Sequence, residues 1–243
     1  EPATSFPWNS SDYSCGHAVF DTNGDVIFSS DMPGGFGGMD LYHSRWENDD
    51  WSKPENLGSI VNSAGNEIFP FVSEIENLYF ASDGILGLGG LEIFALPNGS
   101  NQIERFGFPI NSPSDDFAFR IDERKGEGWL SSNRQNMIDA IYRVSGVPKA
   151  GAVEVEVLAC DGTSVSSAVV SLEDQNTGLI RTGRTDENGR CTMFATLGGD
   201  YELILLPFRG MNSPPSQSLL LTDSVTRVIL DMSFASKENT LPV

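Results

Sequence analysis

The chain is poor in cysteine, histidine and positive charge. Its 243 residues include three cysteines and two histidines. With no CxxC pair and so few soft ligands, a structural zinc site is set aside. Lys and Arg number 15 against 34 Asp and Glu, a formal net charge of −19. A surface of that sign repels phosphate backbones and anionic lipid, so neither nucleic acid nor a membrane surface is expected as a partner. No run approaches the roughly 20 apolar residues of a membrane-spanning helix. GxSxG, HExxH and Walker patterns are missing, and neither His17 nor His43 has a nucleophile nearby in sequence. The first residue is Glu1 with no signal-peptide pattern ahead of it, which reads as a processed or excised chain. Long helix-forming runs are scarce too, while 25 Gly and 13 Pro predict many turns and short strands.

What is present is a repeat. Val26-Ile27-Phe28 runs through Ser29-Ser30-Asp31 into a glycine-rich turn and leaves through Asp40-Leu41-Tyr42. Proline and clustered glycines supply the conformations such a reversal demands. Ala81-Ser82-Asp83 and its glycines, leading to Glu92-Ile93-Phe94, repeat the pattern 52 residues later. Ser131-Ser132-Asn133 and Asp139-Ala140-Ile141-Tyr142 repeat it again without the glycines. Asn56-Leu57-Gly58 through Ser63 matches Arg105-Phe106-Gly107 through Ser112, and Asn66-Glu67 matches Asp115-Asp116. A period near fifty made only of strands and turns predicts blades of a β-propeller. The recurring rings Phe28, Tyr42, Phe80, Phe94, Trp129 and Tyr142 are expected to fill the space between neighbouring sheets.

Beyond a short linker at 147–151 the pattern changes. Val153, Val155 and Val157 alternate with Glu154 and Glu156, and turns at Asp161-Gly162, Asn176-Thr177-Gly178, Asp186-Glu187-Asn188-Gly189 and Gly198-Gly199-Asp200 separate further strands up to a last one at Thr226–Met232. About seven short strands at this spacing predict a sandwich. The reading divides the chain into blades over 1–146, a linker at 147–151, a sandwich over 152–235 and a tail at 236–243.

The motifs GHAVFDTNGDVIFSSDMPGGFGGMDLY, NLG, GNEIFPFVS, LYFASDG, GLGGLEIF, PINSPSDDFAF and GWLSSNR, in that order, resemble the WD40-like PD40 propeller of Bacteroidetes OmpA-family envelope proteins, the PorE-type architecture associated with type IX secretion. The third unit departs from the pattern, with Gln135-Asn136-Met137-Ile138 in place of glycines. The stretches around GAVEVEV, SAVVSL, TDENGR and GGDYEL resemble the carboxypeptidase-regulatory-like, transthyretin-type sandwich. The resemblance implies an all-β chain, a partial propeller of three PD40-like blades followed by that sandwich. Three blades close no ring, so further blades or another chain would complete it, or the open blade would self-associate.

Several residues could carry chemistry. Asp21, Asn23 and Asp25 have the opening spacing of a calcium loop, but Met32 stands where its closing glutamate belongs, and the turn reading is preferred. The turn residues Asp31, Asp40, Asp83, Glu92, Asn133 and Asp139 are read as repeated structural positions that accept hydrogen bonds from turn amides. The alternative makes the acids a ligand or cation site. Asp115-Asp116 could be a paired carboxylate, but adjacent strand residues face opposite ways. His17 is expected to pack at a blade start and His43 to lie on the surface. Cys160 and Cys191 could form a disulfide in an oxidising compartment. Asp223-Ser224-Val225 fits a weak O-glycosylation pattern.

With no catalytic set, no metal and no cofactor expected, the reading is a non-enzymatic, protein-binding scaffold. The resemblance implies a periplasmic, outer-membrane-associated place, envelope or secretion-system partners, and peptidoglycan only through a domain outside this chain. The alternatives are a propeller that binds or hydrolyses glycans or peptides, and a Tol-like envelope propeller.

Overall fold

A computed structural model describes residues 4–207 and 216–231. Met232 and the tail at 236–243 lie outside the described residues. The described chain is all-β, without a helix, and no helix in it is long and apolar enough to cross a membrane. Two compact units emerge, one of residues 1–97 and 102–147, the other of 98–101 and 148–243.

The first unit begins with β1 (Cys15–Phe20), β2 (Val26–Ser30), β3 (Asp40–Ser44), a small hairpin of β4 (Trp46–Glu47) and β5 (Asp50–Trp51), and β6 (Glu55–Asn56). Strands β1-β2-β3-β6 make one antiparallel sheet. Next come β7 (Glu67–Val72), β8 (Leu78–Ser82), β9 (Glu92–Leu96) and β10 (Glu104–Arg105), a second sheet of the same order. The third sheet has only β11 (Asp116–Asp122), β12 (Glu127–Gln135) and β13 (Ile138–Ser145).

Register shows that the sheets are copies. Ser30 pairs with Asp40, Ser82 with Glu92, and Ser132 with Ala140. Each first strand carries a bulge at the same place, with left-handed backbone at His17 (φ 53°), Phe69 (φ 54°) and Ala118 (φ 52°). The alternation of a strand puts neighbours on opposite faces, and both faces of the second sheet are used. Phe80, Phe94 and Leu78 pack on Ile27 and Leu41 of the first sheet. Tyr79, Ile93 and Ala95 pack on Phe119, Ile121 and Leu130 of the third.

Two expectations about the rings need correcting. Phe28 and Tyr42 lie on the first sheet's other face, under Phe6 and Trp51. Trp129 fills no space between sheets: it is 55% exposed, because no fourth sheet follows among the described residues. The described sheets close no ring.

The second unit comprises β14 (Ala150–Leu158), β15 (Val169–Asp174), β16 (Ile180–Arg184), β17 (Arg190–Thr196), β18 (Asp200–Leu205), β19 (Ser216–Leu220) and β20 (Val225–Asp231). One sheet runs β17-β14-β20, with β14 and β20 parallel; the other runs β16-β15-β18-β19. The alternating valines of β14 point into one core with Val170, Leu172, Tyr201, Leu203, Leu205 and Leu230. β14 begins at Ala150, inside the segment read as linker. Ser100 bridges to Arg181 in this unit.

Candidate functional site

The glycine turns explain the buried acids. A turn that reverses over clustered glycines leaves its amides pointing inward without strand partners, and a buried carboxylate can accept several of them. Asp40, fully buried, accepts from Phe36 N (2.6 Å), Gly37 N (3.2 Å) and Asn56 Nδ2 (2.7 Å). Glu92 does the same for Leu88 N and Gly89 N, and for Arg105 Nε at 2.7 Å. Burial pushes the Glu92 carboxyl up, but the donors from Arg105, Gly89 and Leu88 together hold it below its ordinary range. Asp31 Oδ1 accepts Ser14 N. Asp83 takes both the backbone N–H and the side-chain amide of Asn66. Asn133 accepts Asp115 N and donates to Asp115 Oδ2.

Asp139 is the exception. The residue opposite Ser132 is Ala140, so Asp139 sits one place before the position of Asp40 and Glu92 and is exposed. Asp115 and Asp116 also part company. Asp115 serves Leu91 N and Asn133, while Asp116 accepts Ser112 N and Oγ and pairs with Arg134.

Sequence reasoning missed three sets. Asn62 and Asn111 act as side-chain substitutes for a strand against β3 and β9. Buried Glu67 gathers Ser63 N, Ser63 Oγ and Ser82 Oγ; in the next sheet Asp116 likewise gathers Ser112 N and Oγ, with Arg134 in place of the second serine. The recurring Asn-Ser followed four residues on by an acid was the available signal. Buried Glu123 receives Tyr79 Oη and Asn77 Nδ2; burial, then the Glu123 charge, holds the Tyr79 hydroxyl far above its usual range.

His43 is not a surface residue. Its ring is largely covered, with Nε2 at 3.3 Å from Asp25 Oδ2 and 3.8 Å from Asp21 Oδ2. The other carboxylate oxygens are occupied: Asp21 Oδ1 accepts Asn23 N and Asp25 N, and Asp25 Oδ1 accepts Trp46 N. Asp21, Asp25 and His43 form the set among the described residues that could hold a cation. Asn23 contributes only its backbone. His17 packs against Phe69 in a tilted ring pair at 4.1 Å, and burial lowers its pKa.

The cysteines are free thiols, so Cys160 and Cys191 form no disulfide. Cys191 pairs with Val155 across the sheet. Leu158, three residues along β14, is already about 10 Å from that row, and Cys160 lies beyond it, too far to bridge. Burial, then the Asp186 charge, pushes the Cys191 thiol up to about 11.

The third sheet's outer face and edge carry exposed apolar side chains. Trp129 stands where Tyr79 stands in the second sheet, and Ile141 where Ile93 stands; exposure rises from 5% to 55% and from 0% to 75%. Met137 and Ile138 at the hairpin tip are exposed as well.

No family model and no curated protein matches the chain. A streptococcal ancillary pilin is similar at 13% identity over 58% of this chain and 50% of that one, TM-score 0.29. The major pilin subunit BcpA of Bacillus cereus is similar at 11% over 86% and 84%, TM-score 0.28. The extracellular domain of the putative hybrid two component system BT4673 from B. thetaiotaomicron is similar at 11% over 88% and 36%, TM-score 0.32. The chain thus spans half the length of that streptococcal pilin. Likenesses this faint carry no argument about function. They include no OmpA-family or PD40 protein. With no matching family model, the membership in a PD40-bearing, OmpA-related envelope family is withdrawn, and the type IX secretion association with it.

Proposed function

We infer that this chain is a non-enzymatic protein-interaction module. Three repeated, blade-like sheets form a rigid support, the two-sheet sandwich acts as a spacer, and the outer side of the third sheet receives a protein partner. One observation carries the reading: the faces of the first and second sheets equivalent to Trp129 and Ile141 are covered by a following sheet, and this one is bare. Exposed aromatic and aliphatic side chains clustered on a rigid face are typical of protein-binding surfaces. The repeated acids support it from the other side, since they are spent on backbone amides and do not converge as an acid–base pair. A net charge of −19 argues against nucleic acid as the partner. A place outside the cytoplasm belongs to the same proposal; the periplasmic, outer-membrane-associated placement was implied by the family withdrawn above and is not carried forward.

The test is a photo-crosslinking amino acid at position 129, with a second at exposed Glu187 as control, in extracts of the native cells. A discrete protein adduct from position 129 alone is expected. Equal adducts from both positions, or hydrolytic turnover in a glycan and peptide panel, would overturn the reading.

A further inference from the structure

Among the described residues, the third sheet lacks a strand that its two predecessors have. In the first sheet, Glu55 and Asn56 pair with His43 and Tyr42; in the second, Glu104 and Arg105 pair with Ala95 and Phe94. The equivalent residues of β13 are Arg143 and Tyr142, and among the described residues β13 pairs only with β12. It is an eight-residue edge strand, long for an unpaired one, since an open edge presents a row of backbone donors and acceptors to any extended chain.

The two existing fourth strands share one pattern. Residues 55–63 read Glu-Asn-Leu-Gly-Ser-Ile-Val-Asn-Ser and residues 104–112 read Glu-Arg-Phe-Gly-Phe-Pro-Ile-Asn-Ser. Both are Glu-x-apolar-Gly-x-x-apolar-Asn-Ser. The closing asparagine clamps the second residue of the third strand. Asn62 binds Leu41 N and O, and Asn111 binds Ile93 N and O. Ile141 occupies that place in β13, so its backbone N–H and C=O point outward along the open edge.

We propose that the β13 edge binds an extended segment of a partner protein bearing this same pattern, which adds the missing fourth strand and clamps Ile141 with its asparagine. Backbone pairing supplies the affinity and the apolar positions the selectivity, as in other strand additions. The inference rests on the protein-interaction reading. The copies at 55–63 and 104–112 are already paired within the chain, so a second folded copy is not the donor. One position should differ from the template. Asn56 and Arg105 each donate to the buried acid of the strand they join, Asp40 or Glu92. Ala140 replaces that acid in the third sheet, so the second residue of the incoming segment needs no donor.

The test adds a synthetic peptide of residues 104–112 to the isotope-labelled chain and follows backbone amide shifts. Saturable changes centred on Ala140–Arg143 are expected. Asn111→Ala in the peptide should weaken binding by about ten-fold or more, the loss expected when buried backbone groups go unpaired, and Arg105→Ala in the peptide should leave it unchanged. Because the substitutions are in the peptide, a folding failure of the protein cannot imitate the result. No saturation with millimolar peptide, equal binding of the Asn111→Ala peptide, or shifts confined to other sheets would overturn the proposal. An adduct from position 129 together with no peptide binding would sink this inference alone and leave the broader reading standing.

Discussion

Asn62 and Asn111 hold Leu41 and Ile93 in the same way. Each amide oxygen accepts the strand N–H at 2.8 Å, and each amide nitrogen donates to the same residue's carbonyl, at 3.0 Å and 2.9 Å. One side chain thereby replaces a residue of neighbouring strand. Both asparagines are buried; removing Asn62 leaves the Leu41 N–H without its acceptor, although Leu57 N still serves the Leu41 carbonyl, and removing Asn111 takes the partner of both Ile93 groups. Asn62→Ala and Asn111→Ala should each cost about 2–3 kcal/mol, measured by urea unfolding. A loss below about 0.5 kcal/mol in both would remove the clamp from the account.

Glu92 gives the first unit a dependence on pH. Its folded-state pKa lies below the ordinary 4.5, so its stabilising contribution is fully present above that value. The contribution fades as pH falls through the lower, folded-state pKa. Glu92→Gln removes the charge, and should destabilise by about 1–2 kcal/mol at pH 7. The gap between the two proteins should narrow on acidification below 4.5. A gap that stays constant or widens towards acid would contradict the assignment.

The repeated bulge stores strain that glycine can release. Ala118 holds a left-handed backbone at φ 52°, which costs a residue with a Cβ on the order of 1 kcal/mol. Ala118→Gly should therefore raise stability by about 0.5 kcal/mol after the unfolded chain's added freedom is counted. Phe69→Gly relieves the same strain but removes the ring contacts with His17 and Phe117, and should lower the melting temperature.

The cysteines should separate by reactivity. Cys160 is exposed, whereas the Cys191 thiol is pushed up to about 11, so its nucleophilic thiolate is scarce at pH 8. Iodoacetamide at that pH should modify Cys160 at least about ten-fold faster than Cys191, read by peptide mass mapping. Intact mass without reductant should show no loss of two hydrogens.

Much of the fold is legible in the residues. The fifty-residue period marks three related units because each needs the same hairpin, and the alternating valines at 153–157 mark a strand with one buried face. Other features depend on pairing that local spacing does not reveal. Asp139 looks like the partner of Glu92 in a linear alignment, but the register sets Ala140 opposite Ser132. Trp129 resembles a core ring by its place in the repeat; its exposure follows from there being no sheet beyond it among the described residues. His43, on a strand with mixed polarity, is covered because Asp21 and Asp25 return to it from the preceding turn. Family membership, read from matching motifs, failed because turn chemistry recurs wherever glycine-rich hairpins are needed.

The central claim is that the three sheets are copies and that the third is left uncovered at the place its predecessors have filled. Amide hydrogen exchange of Leu41, Ile93 and Ile141 tests this most directly. Strong protection is expected at Leu41 and Ile93, whose N–H groups are clamped by asparagine, with fast exchange at Ile141. Equal protection at all three positions would contradict the account.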